Sequence, residues 1–324
     1  MATTPSPREF VGYLASLAHF ARDRRRREAD DRSVLAELSA DPAARLGLPA
    51  GLELEWLGTA GYRLTYEGRT LFLDPYLSRV PLSAVATLRQ QRAVVEPGLY
   101  ARLLDDRAGD VVGVIAGHTH FDHAIDIPAI AARYDAPAYG SRSLVQLMRV
   151  HGEEARAVEV ELRKPYELGP FTVTFFPSLH SKLVLGLAVP SDGELTCEHL
   201  DGLTPSAYKC GDVYGVRIEV AGYTIYHQGS ANLIDDEVPT GGVDVMLAGV
   251  AGRGFTRDYW TRILRRLQPR VVVASHFDDF FRPLAAADQG LSLNVNLAAV
   301  PEEIGAVSND FAVVALRPLE PVRG

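Results

Sequence analysis

The stretch that decides the fold runs from residue 111 to residue 123 and reads Val111-Val112-Gly113-Val114-Ile115-Ala116-Gly117-His118-Thr119-His120-Phe121-Asp122-His123. Its first six residues form an apolar run typical of a buried strand, and its last six contain three imidazoles and one carboxylate. Alternate positions on an extended turn can aim His118 and His120 at one point, which leaves Asp122 and His123 to face a second point close by. Zinc takes imidazole and carboxylate ligands at about 2.0–2.2 Å. The stretch therefore predicts a metal site where a buried strand ends.

Composition and charge limit the classes of function. The chain has 324 residues, of which 47% are hydrophobic and 23% charged, as is ordinary for a globular protein of one large domain or two smaller ones. A net charge of −8 argues against broad nucleic-acid affinity, so we expect no nucleic-acid partner. No apolar run approaches the length of a transmembrane helix, and the polar N-terminus does not resemble a secretory signal. Two cysteines indicate no disulfide framework, and we expect a cytoplasmic protein.

The first fifty residues predict a helical extension (1–50) ahead of the main domain (51–324). The basic run that follows the apolar positions allows residues 8–27 to lie on a membrane surface as a peripheral contact. Acidic residues come directly after this run and favour the alternative, a helix packed on the domain or on a second subunit of a homo-oligomer. The apolar positions recur at helical spacing and are Phe10, Tyr13, Leu14, Leu17 and Phe20.

Beyond residue 51 the sequence predicts two comparable halves of short strands with helices between them. Two helices are expected, over Ile127–Tyr134 and Tyr259–Leu267. This arrangement favours an α/β (α+β) fold, a four-layer αββα sandwich of two mixed sheets. The expected strands are Leu52–Leu57, Tyr62–Tyr66, Thr70–Leu73, Val111–Ala116, Ala138–Tyr139, Val158–Leu162, Phe171–Phe176, Val213–Val220, Tyr223–His227, Val243–Leu247 and Val271–Ala274.

Three further candidate residues follow predicted strands. They are His180, Ser230 and His276, and loops at strand ends are where functional groups gather on a rigid scaffold. The segment 181–212 is long for a connection between strands and mixes glycine, proline and charged residues. Long connections of this kind are often lids or binding loops, so the segment is interpreted as a lid that shapes the substrate site, with a variable surface loop as the alternative.

These motifs resemble the metallo-β-lactamase superfamily over roughly residues 52–320. Within it, the chain is similar to the branch of the L-ascorbate-6-phosphate lactonases and the N-acylphosphatidylethanolamine phospholipase D-type enzymes. The resemblance is carried by the HxHxDH cluster, by Glu55-Trp56-Leu57-Gly58-Thr59-Ala60-Gly61-Tyr62, by Leu73-Asp74-Pro75-Tyr76-Leu77-Ser78 and by the closing strand Val271–His276.

The resemblance implies two metal sites. His118, His120 and His180 would form the first site. Asp122, His123 and His276 would form the second. Asp74 is expected to orient a ligating imidazole or to cap a turn rather than to bind metal, because partners of that kind fix histidine tautomers.

One position departs from the family pattern. The family places a bridging aspartate after the glycine of its GD motif, whereas this chain has Ser230 after Gly229. A hydroxyl is a poorer bridge than a carboxylate, and three outcomes stay open. The protein holds one metal tightly and the second weakly, or Asp278 or Asp279 supplies the missing oxygen ligand, or hydrolysis is impaired.

The expected function is that of a metal-dependent hydrolase acting on a small molecule. A metal-activated water would attack an ester, lactone or phosphodiester bond, and Asp122 would bind metal or orient the nucleophile as the catalytic carboxylate. The expected cofactor is zinc, as one or two ions, and histidine-rich sites also suit manganese or iron. The alternative is a metal-binding, non-hydrolytic member of the fold that serves binding or sensing.

Overall fold

The computed structural model describes residues 7–87, 90–92, 98–106, 108–284 and 290–324. The side chains of Phe10 and Tyr13, two members of the predicted apolar stripe, lie outside this description. The helices are α1 Pro7–Leu38, α2 Pro42–Leu46, α3 Leu82–Val85, α4 Leu99–Leu103, α5 Phe121–Ala124, α6 Ile127–Arg133, α7 Arg142–Val150, α8 Tyr259–Leu267 and α9 Val300–Gly305. The strands are β1 Glu53–Trp56, β2 Tyr62–Tyr66, β3 Arg69–Leu73, β4 Asp110–Ile115, β5 Ala138–Gly140, β6 Ala157–Glu159, β7 Pro165–Leu168, β8 Phe171–Ser178, β9 Val213–Val220, β10 Tyr223–Gln228, β11 Val243–Gly249, β12 Pro269–Ser275, β13 Ala312–Ala315 and β14 Val322–Arg323.

The strands form two seven-stranded mixed sheets with the same plan. The first sheet has the order β14-β1-β2-β3-β4-β5-β6, and the second has the order β13-β12-β11-β10-β9-β8-β7. In each sheet the pairs at one end are antiparallel, and the pairs at the other end are parallel. Parallel neighbours need crossover connections, and helices α6, α7, α8 and α9 lie in them. The two mixed sheets flanked by helices confirm the fold class predicted from the sequence.

Alternation along the strands divides the apolar residues between two cores. In β3, Leu71 and Leu73 belong to the larger core, which includes strands of both sheets, whereas Phe72 belongs to a smaller core shared with α6 and α7. In β4, Ile115 faces the larger core and Val114 the smaller one. Successive strand residues point to opposite faces, so the first sheet is buried on both sides.

The N-terminal segment packs on the domain rather than standing apart from it. Leu38, Leu46 and Leu48 are buried in the larger core. The Asp31 carboxylate accepts a hydrogen bond from the Ala298 amide at 2.8 Å. Among the described residues, none of the helices is both long and apolar enough to cross a bilayer.

Some elements were absent from the sequence prediction. Strand β7 alternates over only four residues, with Tyr166 and Leu168 facing the larger core, and β14 has only two residues. Both patterns are too short to identify a strand from the sequence. Strand β6 is shorter than predicted, because the chain leaves the sheet after Glu159 and does not continue to Leu162. Helix α7 did carry a signal, since its buried residues Leu144, Leu147 and Met148 recur at helical spacing.

Candidate metal centre

The predicted site residues gather at one edge of the two sheets. Asp74 follows β3, His118 follows β4, His180 follows β8 and His276 follows β12. His120 caps the short helix α5, which carries Asp122 and His123 on its first turn. Strand ends thus bring together side chains that lie far apart in the sequence.

The first group contains His118, His120 and His180, whose ligand atoms all lie within 4.8 Å of one another. The His118 Nε2 and His120 Nδ1 atoms are 3.2 Å apart. The His120 Nε2 donates a hydrogen bond to the Pro190 carbonyl at 2.7 Å, and the His180 Nδ1 donates one to the Ser181 carbonyl at 2.7 Å. A carbonyl can only accept, so these nitrogens carry the ring protons and His120 Nδ1 and His180 Nε2 keep free lone pairs.

The second group contains Asp122, His123 and His276, again with ligand atoms within 4.8 Å. The Asp122 Oδ2 atom lies 3.3 Å from His276 Nε2 and 3.8 Å from His123 Nε2. The His123 Nδ1 lies 2.9 Å from Asp74 Oδ2 and donates to it, which leaves His123 Nε2 free to face Asp122.

Asp74 holds several parts of the centre together. Its carboxylate accepts hydrogen bonds from the Gly117 amide at 2.6 Å, from His123 Nδ1 at 2.9 Å and from His227 Nε2 at 2.9 Å. A Cβ on Gly229 would lie only 2.7 Å from Asp74 Oδ2, so this position requires glycine. Asp74 also falls into a third group of converging atoms with His118 and His123, but its lone pairs already serve three donors. The geometry fits an orienting group best.

Electrostatics favour the metal-binding protonation states in the first group and in Asp122. Burial, together with repulsion from neighbouring imidazoles, holds the pKa of His118 and His180 well below the ordinary value. Burial likewise lowers the pKa of His120 to about 4. Burial would raise the pKa of the Asp122 carboxyl, but His123 and His276 outweigh it and the pKa falls. At neutral pH the first group therefore offers neutral imidazoles and Asp122 an ionised carboxylate, whereas Asp74 and Asp122 outweigh burial and raise the pKa of His123, which would have to lose its second proton before it bound a metal. Imidazoles and a carboxylate together suit zinc and other divalent ions.

A buried network supports the loop that carries His276. The His276 backbone lies in the left-handed region (φ 59°), and its amide donates to the Thr59 carbonyl at 2.8 Å. The Thr59 amide donates to Asp278 Oδ1 at 3.0 Å, and the Asp278 carboxylate pairs with Arg79 at 3.0 Å. A left-handed non-glycine residue is held only where its surroundings determine it, and this network supplies those contacts.

The three candidates for the missing bridge have other partners. The Ser230 hydroxyl accepts a hydrogen bond from the Ser181 amide at 3.1 Å. Asp278 pairs with Arg79, and Asp279 lies 3.0 Å from Arg282. Within the described ranges, neither carboxylate belongs to a group of converging ligand atoms.

Two residues that support the centre were not identified from the sequence. Arg79 gave no signal, because its partner lies almost 200 residues away in the chain. Asp126 follows the HxHxDH cluster at a fixed spacing that could have been noticed. Its carboxylate accepts hydrogen bonds from the Leu77 amide at 2.6 Å, the Ser78 amide at 2.9 Å and the Tyr100 hydroxyl at 2.6 Å, so it ties α5 to the loop after β3.

A cavity of about 600 Å³ opens onto both groups of candidate ligands. Its polar lining includes His120, Asp122, His180 and His276. The remainder is largely apolar, as is usual for sites that bind small molecules. The apolar lining comes from α1, from the 181–212 segment and from the loop after His276, and it includes Leu17, Phe20, Leu183, Val184, Phe280 and Phe281.

A family model described as the β-lactamase superfamily domain matches residues 69–277. The matched range begins with β3 and contains all the residues of the converging groups. Helix α1 lies outside it.

Relatives and solved structures add to this match. A UPF0173 metal-dependent hydrolase of Carboxydothermus hydrogenoformans is 26% identical over 246 residues, which cover 74% of this chain and 89% of the relative. A protein of the same name from Anaeromyxobacter sp. (strain K) is 28% identical over 297 residues, which cover 88% of this chain and 90% of the relative. The crystal structure of CmlA, a diiron β-hydroxylase from Streptomyces venezuelae, superposes with a TM-score of 0.54 at 15% identity, over 86% of this chain and 55% of that one. The last likeness concerns the fold alone.

Proposed function

Because this chain belongs to the family of the β-lactamase superfamily domain, we propose that it is a metal-dependent hydrolase acting on a small molecule. The observation that carries the proposal is the pair of converging donor groups on one apolar cavity. The relatives named metal-dependent hydrolases support it, since they cover most of this chain and are themselves covered over about nine tenths of their length.

In this proposal His118, His120 and His180 hold one divalent ion, and Asp122, His123 and His276 hold a second. Zinc is the proposed metal because the donors are imidazoles and one carboxylate. Manganese or iron would suit the same donors, and the diiron centre named for CmlA keeps iron among the metals to assay. A bound divalent ion lowers the pKa of water and polarises the oxygen of the bond that is cleaved.

The protein's own groups have defined parts in this reaction. Asp122 lines the cavity and is ionised at neutral pH, so its carboxylate accepts a hydrogen bond from the attacking water and orients it. Asp74 keeps the proton of His123 on Nδ1 and so presents Nε2 to the centre. The apolar walls limit the access of bulk water to the cleaved bond. The proposed bonds are those of esters, lactones and phosphodiesters, whose carbonyl or phosphoryl oxygens are open to polarisation.

Hydrolysis of a panel of esters, lactones and phosphodiesters, combined with elemental analysis, tests the proposal. We expect wild type to hydrolyse at least one class. His120→Ala should abolish this activity and lower the metal content, whereas His199→Ala, at an exposed histidine outside both groups, should change neither. Wild-type activity that persists unchanged in His120→Ala, or activity without bound metal, would refute the proposal.

Ser230 favours a second candidate, a metal-binding protein that does not hydrolyse. Its hydroxyl is buried and accepts a hydrogen bond from the Ser181 amide. The bridging carboxylate that the family resemblance leads us to expect is therefore missing for the second ion. The Ser230→Asp variant separates the two candidates. If it raises both metal content and a feeble activity, the non-hydrolytic candidate gains. If wild type is already active with two ions, the candidate is excluded.

A further inference from the structure

Helix α1 supplies part of the cavity wall. Leu17 and Phe20 line the same cavity as the candidate ligands His120 and His180. The helix lies outside the range that the family model matches, so the match says nothing about this part of the wall.

The helix is fixed to the domain by polar and apolar contacts. Arg24 and Asp31 form a buried ion pair at 2.6 Å within α1. Asp31 also accepts a hydrogen bond from the Ala298 amide at 2.8 Å, which joins the helix to the segment before α9. Leu38, at the end of the helix, is buried in the larger core. These contacts give α1 a defined position beside the cavity.

Phe255 lies between the helix and the 181–212 segment and contacts both. The rings of Phe20 and Phe255 meet edge to face, with centroids 6.0 Å apart. Gly186 lies against the other ring of this pair, because a Cβ there would approach Phe255 Cδ1 to 3.0 Å. Leu183 and Val184 precede Gly186 and line the cavity. The helix and the segment therefore form one continuous apolar wall.

The loop after His276 adds further apolar surface. Phe280 and Phe281 line the cavity, and their ring centroids are 4.3 Å apart. The Phe280 ring also meets His276 at 5.4 Å between centroids, so the apolar lining reaches the candidate ligands directly. A molecule whose polar bond lies at the ligands thus has leucine and phenylalanine side chains beside its remaining atoms, and Lys209 and Arg282 line another part of the cavity.

We propose that Leu17 and Phe20 are specificity-determining residues that bind an extended apolar group of the substrate. The substrate class is an ester or lactone that carries a flexible acyl or alkyl chain next to the cleaved bond. This inference rests on the proposed hydrolase function for the position of that bond. The apolar chain itself is inferred from the cavity wall.

The burial of such a chain has a measurable signature. Each methylene buried against an apolar wall should tighten binding about fourfold until the cavity is full. Replacing Leu17 or Phe20 by a small polar residue should weaken the binding of long chains about tenfold or more and leave the binding of short chains almost unchanged.

The experiment measures binding separately from hydrolysis. Straight-chain carboxylates from butanoate to decanoate are titrated into the metal-loaded protein by calorimetry, and 4-nitrophenyl esters of the same acids are assayed for hydrolysis. The variants are Phe20→Ser and Leu17→Ser. Leu14→Ser is the matched control, because Leu14 lies on the same helix, is 44% exposed and does not line the cavity. Leu17→Ser keeps the test informative if Phe20→Ser detaches the helix from Phe255, which circular dichroism and thermal melting would reveal.

We expect affinity to rise with chain length in wild type and in Leu14→Ser and to lose most of this dependence in Leu17→Ser and Phe20→Ser. Equal chain-length dependence in all four proteins, or none in wild type, overturns the inference. Hydrolysis of short esters without any chain-length dependence leaves the hydrolase proposal standing and removes this one. Chain-length-dependent binding that is lost in the variants, without hydrolysis of any ester, supports the apolar wall and counts against ester hydrolysis.

Discussion

The Asp278 carboxylate lies 3.0 Å from the Arg79 guanidinium, and both side chains are almost completely buried. The pair stands behind His276, since Asp278 holds the Thr59 amide and the Thr59 carbonyl accepts the His276 amide. An ion pair of this kind does not bind the metal. It holds the strained backbone at His276 in place and thereby fixes the direction of the His276 imidazole.

Replacing Arg79 by methionine should destabilise the protein by about 3–5 kcal/mol, because it leaves the Asp278 charge buried without its cationic partner. Urea denaturation of the metal-free protein measures the change. Arg133→Met is the matched control: its pair with Asp105 lies at the surface, where solvent screens the charges, so the loss should be much smaller. Equal losses in the two variants would contradict the structural importance of the buried pair. The double variant Arg79→Met/Asp278→Leu should recover part of the loss, since it removes both charges.

Asp74→Asn should weaken metal binding about 10- to 100-fold at the group that contains His123, because the carboxylate that orients this imidazole is lost. Competition titrations with a chelator and direct metal analysis give the affinities. Asp110→Asn, at an exposed carboxylate paired with Arg69, should leave them unchanged. Unaltered affinity in Asp74→Asn would show that His123 does not depend on this contact.

Metal-free protein should lose stability as the pH falls from about 6.5 towards 4. Burial depresses the pKa of folded His118, His120 and His180 below the value of an unfolded histidine, to about 4 for His120. The unfolded chain therefore binds more protons in this range, and each such group costs up to about 1.4 kcal/mol per pH unit. His123 opposes the trend, since Asp74 and Asp122 outweigh its burial and raise its pKa.

Urea denaturation at several pH values between 8 and 4 would measure this slope. His120→Asn should have a smaller slope than wild type, because one of the depressed groups is removed. A wild-type stability that is flat or rises on acidification would contradict the prediction.

The two thiols should differ in reactivity at mildly alkaline pH. Burial raises the pKa of the Cys210 thiol to about 12, so little thiolate forms there, whereas Cys197 is partly exposed. Iodoacetamide followed by peptide mass spectrometry should find Cys197 modified and Cys210 intact in the folded protein. In Cys197→Ser we expect almost no modification until denaturant is added. Similar labelling of both thiols without denaturant would show that Cys210 is accessible in the native state.

Much of the fold was accessible from sequence because its signals are local. The apolar run before His118, the alternation in β3 and the strand ends before His180 and His276 each lie within a few neighbouring residues. The short strand β14 could not be found in this way. It returns from the C-terminus to pair with β1, and a two-residue strand is defined by its partner rather than by its own pattern.

In the candidate centre, too, some features were visible in the sequence and others only in the tertiary structure. The residue types and spacing of the HxHxDH cluster were central to the family resemblance, because four side chains of the types that bind metal lie within six residues of the chain. Only the tertiary structure showed which residues hold the candidate ligands in place. Asp74 meets His227 across 153 residues, Asp278 meets Thr59 across 219, and the N-terminal Phe20 meets Phe255 beside the cavity. The local sequence does not predict such contacts. They form only when distant segments converge in the fold, and each segment contributes a single residue to the contact.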